Sequence, residues 1–246
     1  MSAAELVRTA DRLGVRVVQI CDNLPLENLP EGTLESLEDA ARSASVDIEV
    51  GTRGLDDTRL LRHLGLATRF RSPIVRLVVD RGGDEPSPNE VIQRLLPHRN
   101  AFRDAGVRLA IENHDRFSTQ TLAALVRELG VEWVGICLDT VNSIGALEGP
   151  EVVVDRLAPL ALSLHVKDFK IGRPSHQMGF LVEGCAAGEG RLDLAPILSR
   201  LRDEGRDVNA ILETWVTPGL HLTETIERER VWTEKGVHHC RCLIRE

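Results

Sequence analysis

No two of the five cysteines (Cys21, Cys137, Cys185, Cys240, Cys242) stand in C-x-x-C spacing, which excludes a zinc knuckle or a redox pair of that form. Their odd number suits a reducing cytosol. Also missing is any stretch near the roughly 18 consecutive apolar residues that a bilayer-crossing helix needs. The opening Met1-Ser2-Ala3-Ala4-Glu5-Leu6-Val7-Arg8 lacks the basic start and apolar core of an export signal, so a cytoplasmic chain with no membrane partner is expected. Basic residues are the minority, 30 Lys and Arg against 38 Asp and Glu for a formal charge of −8. They are scattered, so no footprint for a nucleic-acid backbone exists. Aromatics are few, with five Phe, three Trp and no Tyr. What is there, 42% apolar and 28% charged over 246 residues, is globular composition that excludes a disordered tail, a collagen and a coiled coil.

Short apolar runs at Val15–Cys21, Val46–Val50, Ile74–Val79, Leu109–Ile111, Val134–Leu138, Ala161–Val166 and Val208–Leu212 read as strands. Helix patterns lie between them. Ser118-Thr119 caps a segment with Leu122, Leu125, Val126 and Leu129 on one face and Gly130 as its stop. Thr33 precedes Leu34, Leu37 and Ala41, and Leu194, Ile197, Leu198 and Leu201 form a third face with Pro196 in the first turn. Strands separated by helices give a parallel sheet, and steps of roughly 30 residues per unit favour a closed barrel. No G-x-G-x-x-G follows the first strand, which speaks against dinucleotide binding. The last step is longer because it contains residues 170–190, polar and Gly-rich, which read as a loop inserted on the strand-end face.

Ser2-x-x-Glu5 is a capping box, so the sequence opens on a helix (Leu6, Ala10, Leu13, stopping at Gly14) with no strand before it. The expectation is a single α/β domain over residues 1–246: a (β/α)8 TIM barrel lacking its first strand, with seven strands and eight helices. Either seven strands close the barrel, or a partner chain or residues encoded upstream of Met1 cover the gap, since an unpaired edge is an aggregation liability.

Glu112, Asp139, His165 and Glu213 end four successive late strands. Period-two alternation puts Ala110 with Glu112, Cys137 with Asp139, Ser163 with His165 and Ile211 with Glu213. All four polar groups then face one cavity at the barrel mouth, where such folds keep their active sites. Three carboxylates gathered there would raise one another's pKa unless a cation compensates. Three oxygens and one imidazole suit Mn²⁺ or Mg²⁺ better than Zn²⁺ or Co²⁺. Taken singly, each residue has a plainer reading: a solvated strand-end Glu, a core His, an Asp139 that caps a helix.

The motifs Ile111-Glu112-Asn113-His114, Leu138-Asp139-Thr140, Leu164-His165-Val166-Lys167-Asp168, Gly188-Glu189-Gly190-x-Leu192-Asp193 and Ile211-Leu212-Glu213 resemble the xylose-isomerase-like TIM barrels described as sugar phosphate isomerases/epimerases. That superfamily also holds ketose 3-epimerases, inosose and 3-dehydroshikimate dehydratases, and endonuclease IV. The resemblance runs from Val15 onward and is strongest between Leu109 and Trp215. It implies that Glu112, Asp139, His165 and Glu213 are metal ligands. It further implies that Glu112 and Glu213 are the catalytic pair, one removing the proton next to a carbonyl and the other returning one. His114 and Lys167 share faces with Glu112 and His165 and are candidates for substrate contact; the alternatives are a structural hydrogen bond for His114 and an ion pair with Asp168 for Lys167. Two positions depart from the ketose 3-epimerase pattern. Asn142 replaces a histidine, and an amide exchanges no proton at neutral pH. Ile171 replaces an arginine, for which Arg173 or His176 of the insert are the candidate substitutes; otherwise both are surface groups.

The expected activity is therefore a metal-dependent isomerase or epimerase of a sugar or related polyhydroxy carbonyl compound, acting through an enediolate. A lyase or dehydratase drawing on the same enediolate is the alternative, as is a non-catalytic barrel that binds a partner. Endonuclease IV-like repair would need further histidines and a basic face. The implied partner is a small sugar-like molecule rather than nucleic acid, and a homodimer is compatible with this kind of barrel. Upstream, Arg76 is expected to pair with Asp80 or Glu49, or else to hold a carboxylate or phosphate. Gly188-Glu189-Gly190 is read as the turn before a helix capped by Asp193 rather than as a phosphate cradle. The tail His238-His239-Cys240-Arg241-Cys242 is read as frayed surface rather than a metal site.

Overall fold

The Ser2–Glu5 capping box forms as the spacing predicts: the Ser2 amide donates to Glu5 Oε2 at 2.6 Å and Glu5 N donates to Ser2 Oγ at 3.3 Å. It opens α1 (Ala3–Arg12) in a computed structural model that describes residues 1–244. The elements then follow as β1 (Val17–Ile20), α2 (Glu31–Ala44), β2 (Asp47–Arg53), α3 (Asp57–Phe70), β3 (Ile74–Val78), α4 (Pro88–Leu95), α5 (Arg99–Ala105) and β4 (Arg108–Glu112). After these come α6 (Thr119–Leu129), β5 (Val134–Asp139), α7 (Pro150–Leu157), β6 (Ala161–Val166), β7 (Asp168–Gly172), β8 (Leu181–Cys185), α8 (Leu194–Asp203), β9 (Ala210–Leu212) and α9 (Leu222–Leu243). A 3-10 turn at Leu96–His98 separates α4 from α5, where Pro97 has no N–H to give. Counted as one layer, these two leave eight helical layers around the sheet among the described residues.

Seven parallel strands lie in the order β1-β2-β3-β4-β5-β6-β9, the seven-strand TIM barrel read from the sequence. β3, β5 and β6 are buried along their whole length, as parallel strands covered on both faces must be. Ile111, Leu138 and Leu164 join the outer core beneath the helices, whereas Ile74, Ala110, Cys137 and Leu162 form a small inner cluster. Leu162 is inward because the register between β5 and β6 shifts at Ile136/Cys137, spending one extra residue on β6 as a bulge does. Gly135 makes the room: a Cβ built there would lie 2.5 Å from Leu162 Cγ and 2.7 Å from the Leu160 carbonyl oxygen.

β1 and β9 are the margins of the sheet, and no strand ladder joins them among the described residues. Around this seam α9 packs on the core through Gly236 and Cys240, with Gly236 against Leu212, and Arg241 donates to the Leu13 carbonyl at the end of α1. The tail is therefore ordered helix through Leu243, not frayed surface: Cys240 brings an apolar contact that the polar spelling of His238–Cys242 conceals.

The insert also has structure of its own. Residues 168–185 fold into the antiparallel β7–β8 hairpin, with Asp168 opposite Cys185 and Ile171 opposite Val182. No helix among the described residues is long and apolar enough to cross a membrane.

Candidate metal centre

Glu112 and Asp139 end β4 and β5, His165 is the penultimate residue of β6, and Glu213 follows β9. Glu112 is the register partner of Cys137 and Asp139 that of His165, so successive candidate ligands climb around the mouth as the strands tilt. One ligand atom from each of the four lies within 4.8 Å of all the others. His165 Nδ1 stands 3.0 Å from Glu213 Oε2, 3.4 Å from Glu112 Oε2 and 3.9 Å from Asp139 Oδ2. Glu112, Asp139 and His165 are fully buried; the Glu213 side chain is half-exposed, with its Oε2 covered.

Asp139 answers to both of its sequence readings, one oxygen for each. Its Oδ1 accepts the backbone N–H groups of Val141 and Asn142 at 2.8 and 2.7 Å, as a cap does. Its Oδ2 faces the cluster. The Asn113 side chain fixes this strand end by accepting from Asp139 N at 2.7 Å and donating to the Asp139 carbonyl at 2.9 Å.

Asp139 Oδ2, His165 Nδ1 and Glu213 Oε2 are buried and, among the described residues, make no well-aligned hydrogen bond, the two oxygens being held only by the charge of the Lys167 ammonium. Buried polar atoms are hydrogen-bonded as a rule, and three such atoms converging, two carboxylate oxygens and an imidazole nitrogen, have the donor chemistry that a divalent cation takes up. The residues fit such an ion. The potential at the cluster points the same way. Burial opposes a charged imidazole at His165, yet Cys137, Glu213 and Glu112 together hold its pKa well above the ordinary histidine value. Burial likewise opposes the Lys167 ammonium, but Asp139, Glu213 and Glu112 outweigh it and push its pKa up. Glu213 is drawn down to about 2, burial being outweighed by His165 and Lys167.

Two further cations stand against the cluster. The Arg76 guanidinium pairs through Nε with Glu112 Oε2, while Asn142 Nδ2 donates to the other oxygen, Oε1, at 2.8 Å. Lys167 Nζ lies 3.0 Å from Asp139 Oδ2 and 3.2 Å from Glu213 Oε2. Both ion pairs differ from those expected. Arg76 does not reach Asp80 or Glu49. Its register partner on β4 is Ala110, which sets Glu112 at the next inward position, and Asp80 is instead claimed by Arg116. Lys167 does not pair with Asp168, whose carboxylate accepts the amides of Phe169, Gly188, Gly190 and Leu192 at 2.7–2.9 Å. Those amides close the Gly188–Gly190 turn on the protein's own carboxylate, as a turn and not a phosphate cradle.

A cavity of about 430 Å³ opens beside the cluster, lined by His114, Asn142, Lys167, Val182 and Trp215 among others. Three of the five residues suggested for substrate contact thus border it. Arg173 and His176 do not. They sit in the hairpin turn, where Arg173 donates to the Gln177 carbonyl and stacks on Phe180, and His176 accepts from Met178 N. Trp215 carried no motif in the sequence; it is placed by a 3.1 Å hydrogen bond from Nε1 to the Asp168 carbonyl.

Comparison with known proteins bears on the fold and the family. A 3-oxo-isoapionate decarboxylase of Pectobacterium atrosepticum is 31% identical over 237 residues, covering 96% of this chain and 86% of the relative. A xylose isomerase-like TIM barrel protein from Mycobacterium smegmatis, solved in complex with magnesium, aligns with a TM-score of 0.72 at 15% identity, covering 95% of this chain and 88% of that one. D-psicose 3-epimerase in the presence of D-fructose aligns with a TM-score of 0.76 at 14% identity, covering 98% and 92%. The sequence profile of the xylose isomerase-like TIM barrels matches residues 2–236, and this chain belongs to that family.

Proposed function

We propose that the protein is a divalent-metal-dependent decarboxylase of a small polyhydroxylated 3-oxo acid. The observation that carries this reading is a buried cation at the cluster with a donor to spare. Arg76, paired with Glu112, stands with Lys167 against three carboxylates (Glu112, Asp139, Glu213), and a guanidinium placed there suits a substrate carrying a carboxylate. Asp22, 3.7 Å from Arg76, is 48% exposed at the rim, where water screens it. Arg76 Nη1 is buried and makes no hydrogen bond, leaving the guanidinium a free donor for a carboxylate oxygen. The 31% identical relative acts, by its name, on a 3-oxo acid of this kind.

Glu112, Asp139, His165 Nδ1 and Glu213 would hold the ion, which when bound supplies Lewis acidity at the substrate carbonyl. Arg76 orients the substrate carboxylate. The C–C bond to that carboxylate breaks, CO₂ leaves, and the bonding electron pair passes to the adjoining carbonyl, giving an enediolate. Negative charge thereby moves from Arg76 toward Lys167, which lines the cavity. The enediolate carbon is basic enough to take a proton from Lys167 Nζ. No base is needed to begin the reaction, which agrees with Glu112 having both oxygens engaged by Arg76 and Asn142.

Isomerisation or epimerisation of a neutral sugar is the second reading, favoured by the presence of both Glu112 and Glu213 at the mouth. One experiment separates the two. Mn²⁺-loaded protein in D₂O is given a 3-oxo sugar acid and, separately, D-fructose. The proposal expects CO₂ release with one deuterium at the carbon that lost it, and no exchange into fructose. Exchange into the ketose with no CO₂ from the acid would overturn it.

A further inference from the structure

From His165 a chain of side-chain hydrogen bonds runs away from the cluster and across the open seam of the barrel. His165 Nε2 lies 2.8 Å from Gln19 Oε1 on β1, Gln19 Nε2 donates to Glu49 Oε2 on β2 at 2.9 Å, and Asn209, just before β9, donates from Nδ2 to Glu49 Oε1 at 2.7 Å. We infer that Glu49 and Gln19 are positioning residues which set the tautomer of His165, so that its Nδ1 lone pair faces the cation site. The inference rests on reading the four ligands as that site, and is independent of which reaction follows.

The polarity of the chain is fixed from its far end. Both Glu49 oxygens already accept, and a carboxylate can only accept. Gln19 must therefore turn its NH₂ to Glu49 and its oxygen to His165. An oxygen there demands a hydrogen on Nε2, so the neutral ring carries no proton on Nδ1. Cys21 Sγ, 3.6 Å from the same Gln19 oxygen, adds a donor that agrees with this orientation. Glu49 is 2% exposed, and its two donors come from Gln19 and Asn209 on either side of the seam between β1 and β9. One buried carboxylate thus holds the unpaired margins together and dictates a proton position two side chains away. Outer partners of metal-binding histidines typically govern affinity by 10- to 100-fold.

The test is a swap of polarity. In Glu49→Leu the acceptor is lost, and Gln19 can turn either end to His165; in Gln19→Leu the His165 Nε2 has no acceptor at all. Glu49→Gln with Asn209→Asp keeps the chain, because the carboxylate at 209 takes the NH₂ of the amide at 49, whose oxygen still accepts from Gln19. Mn²⁺ affinity of the full chain, read from the electron paramagnetic resonance of free ion, should fall about 10- to 100-fold in Glu49→Leu and in Gln19→Leu and stay near the wild type in Glu49→Gln with Asn209→Asp. Gln19→Leu carries the test if Glu49→Leu does not fold. A Gln19→Leu protein that binds Mn²⁺ like the wild type, or a Glu49→Gln with Asn209→Asp protein that binds as weakly as Glu49→Leu, overturns the inference. A folded wild type that binds no Mn²⁺ overturns the cation site beneath it, a separate and recognisable failure.

Discussion

Replacing Arg76 by Met keeps the aliphatic stem and removes the charge that neutralises Glu112. Arg76 is 5% exposed and Glu112 2%, so the loss leaves a buried carboxylate without its partner. Breaking a buried pair from one side costs about 3–5 kcal/mol, and urea unfolding in EDTA should show a loss of that size. The opposite effect is expected at the cation site. Arg76 repels a neighbouring divalent ion by roughly 3 kcal/mol per unit charge at about 5 Å and an effective dielectric near 20. Its removal should tighten Mn²⁺ binding at least about tenfold, or about 1.4 kcal/mol. By linkage, saturating Mn²⁺ then recovers at least that much of the stability difference between variant and wild type. Substrate affinity should fall in the same variant, because the carboxylate has lost its anchor. The assay is a pair of urea titrations, with EDTA and with Mn²⁺. A loss below about 1 kcal/mol in EDTA, within the range of an exposed pair, or a loss that Mn²⁺ leaves unchanged, would refute the reasoning.

Lys167→Gln should lower kcat by about 10²–10⁴, the usual loss when a proton-transfer group is removed, while Mn²⁺ still binds in a direct titration. Gly135→Ala drives a methyl against Leu162 and the Leu160 carbonyl and should cost about 1–3 kcal/mol of overpacking, read as a lower urea midpoint at unchanged slope. Metal-free protein prepared with EDTA should lose turnover and regain it on adding Mn²⁺ or Mg²⁺. Away from the site, burial works to raise Glu27, but its own backbone amide, His63 and Arg59 hold it below its ordinary value of 4.5. A carboxyl depressed in the fold contributes stability that is present above 4.5 and lost as the pH falls below it. Glu27→Gln should thus be less stable at neutral pH and lose less than the wild type on acidification through that window, as thermal melts across pH will show.

The four candidate ligands are legible because each occupies the same place in a repeated unit: an acid or imidazole after a buried run, with a small residue two positions before it in three of the four units. Strand alternation then sends them to one face without knowledge of any contact. Ion pairing was less legible. Arg76 could be placed on the inner face, but its choice of Glu112 over Asp80 depends on the β3–β4 register, Arg76 opposite Ala110, which the sequence does not spell. Gln19 went unnoticed for a similar reason. A glutamine in a four-residue strand makes no motif, and its partner lies 146 residues away across the seam. The available signal was that Gln19 is the polar inward position between Val18 and Ile20. The hairpin reads as loop in the sequence because β7 and β8 depend on pairing with each other rather than on a buried face: most of their residues beyond Phe169 are exposed. The end of α9 reads as frayed in the sequence because its apolar contacts, at Gly236, Cys240 and Leu243, are sparse within a charged segment.

The central claim is that Glu112, Asp139, His165 and Glu213 share one divalent ion. Anomalous diffraction at the manganese edge from crystals grown with Mn²⁺ tests it directly. A single strong peak bounded by these four residues, with His165 coordinating through Nδ1, is the predicted result. A peak elsewhere, or none at saturating Mn²⁺, would contradict the account.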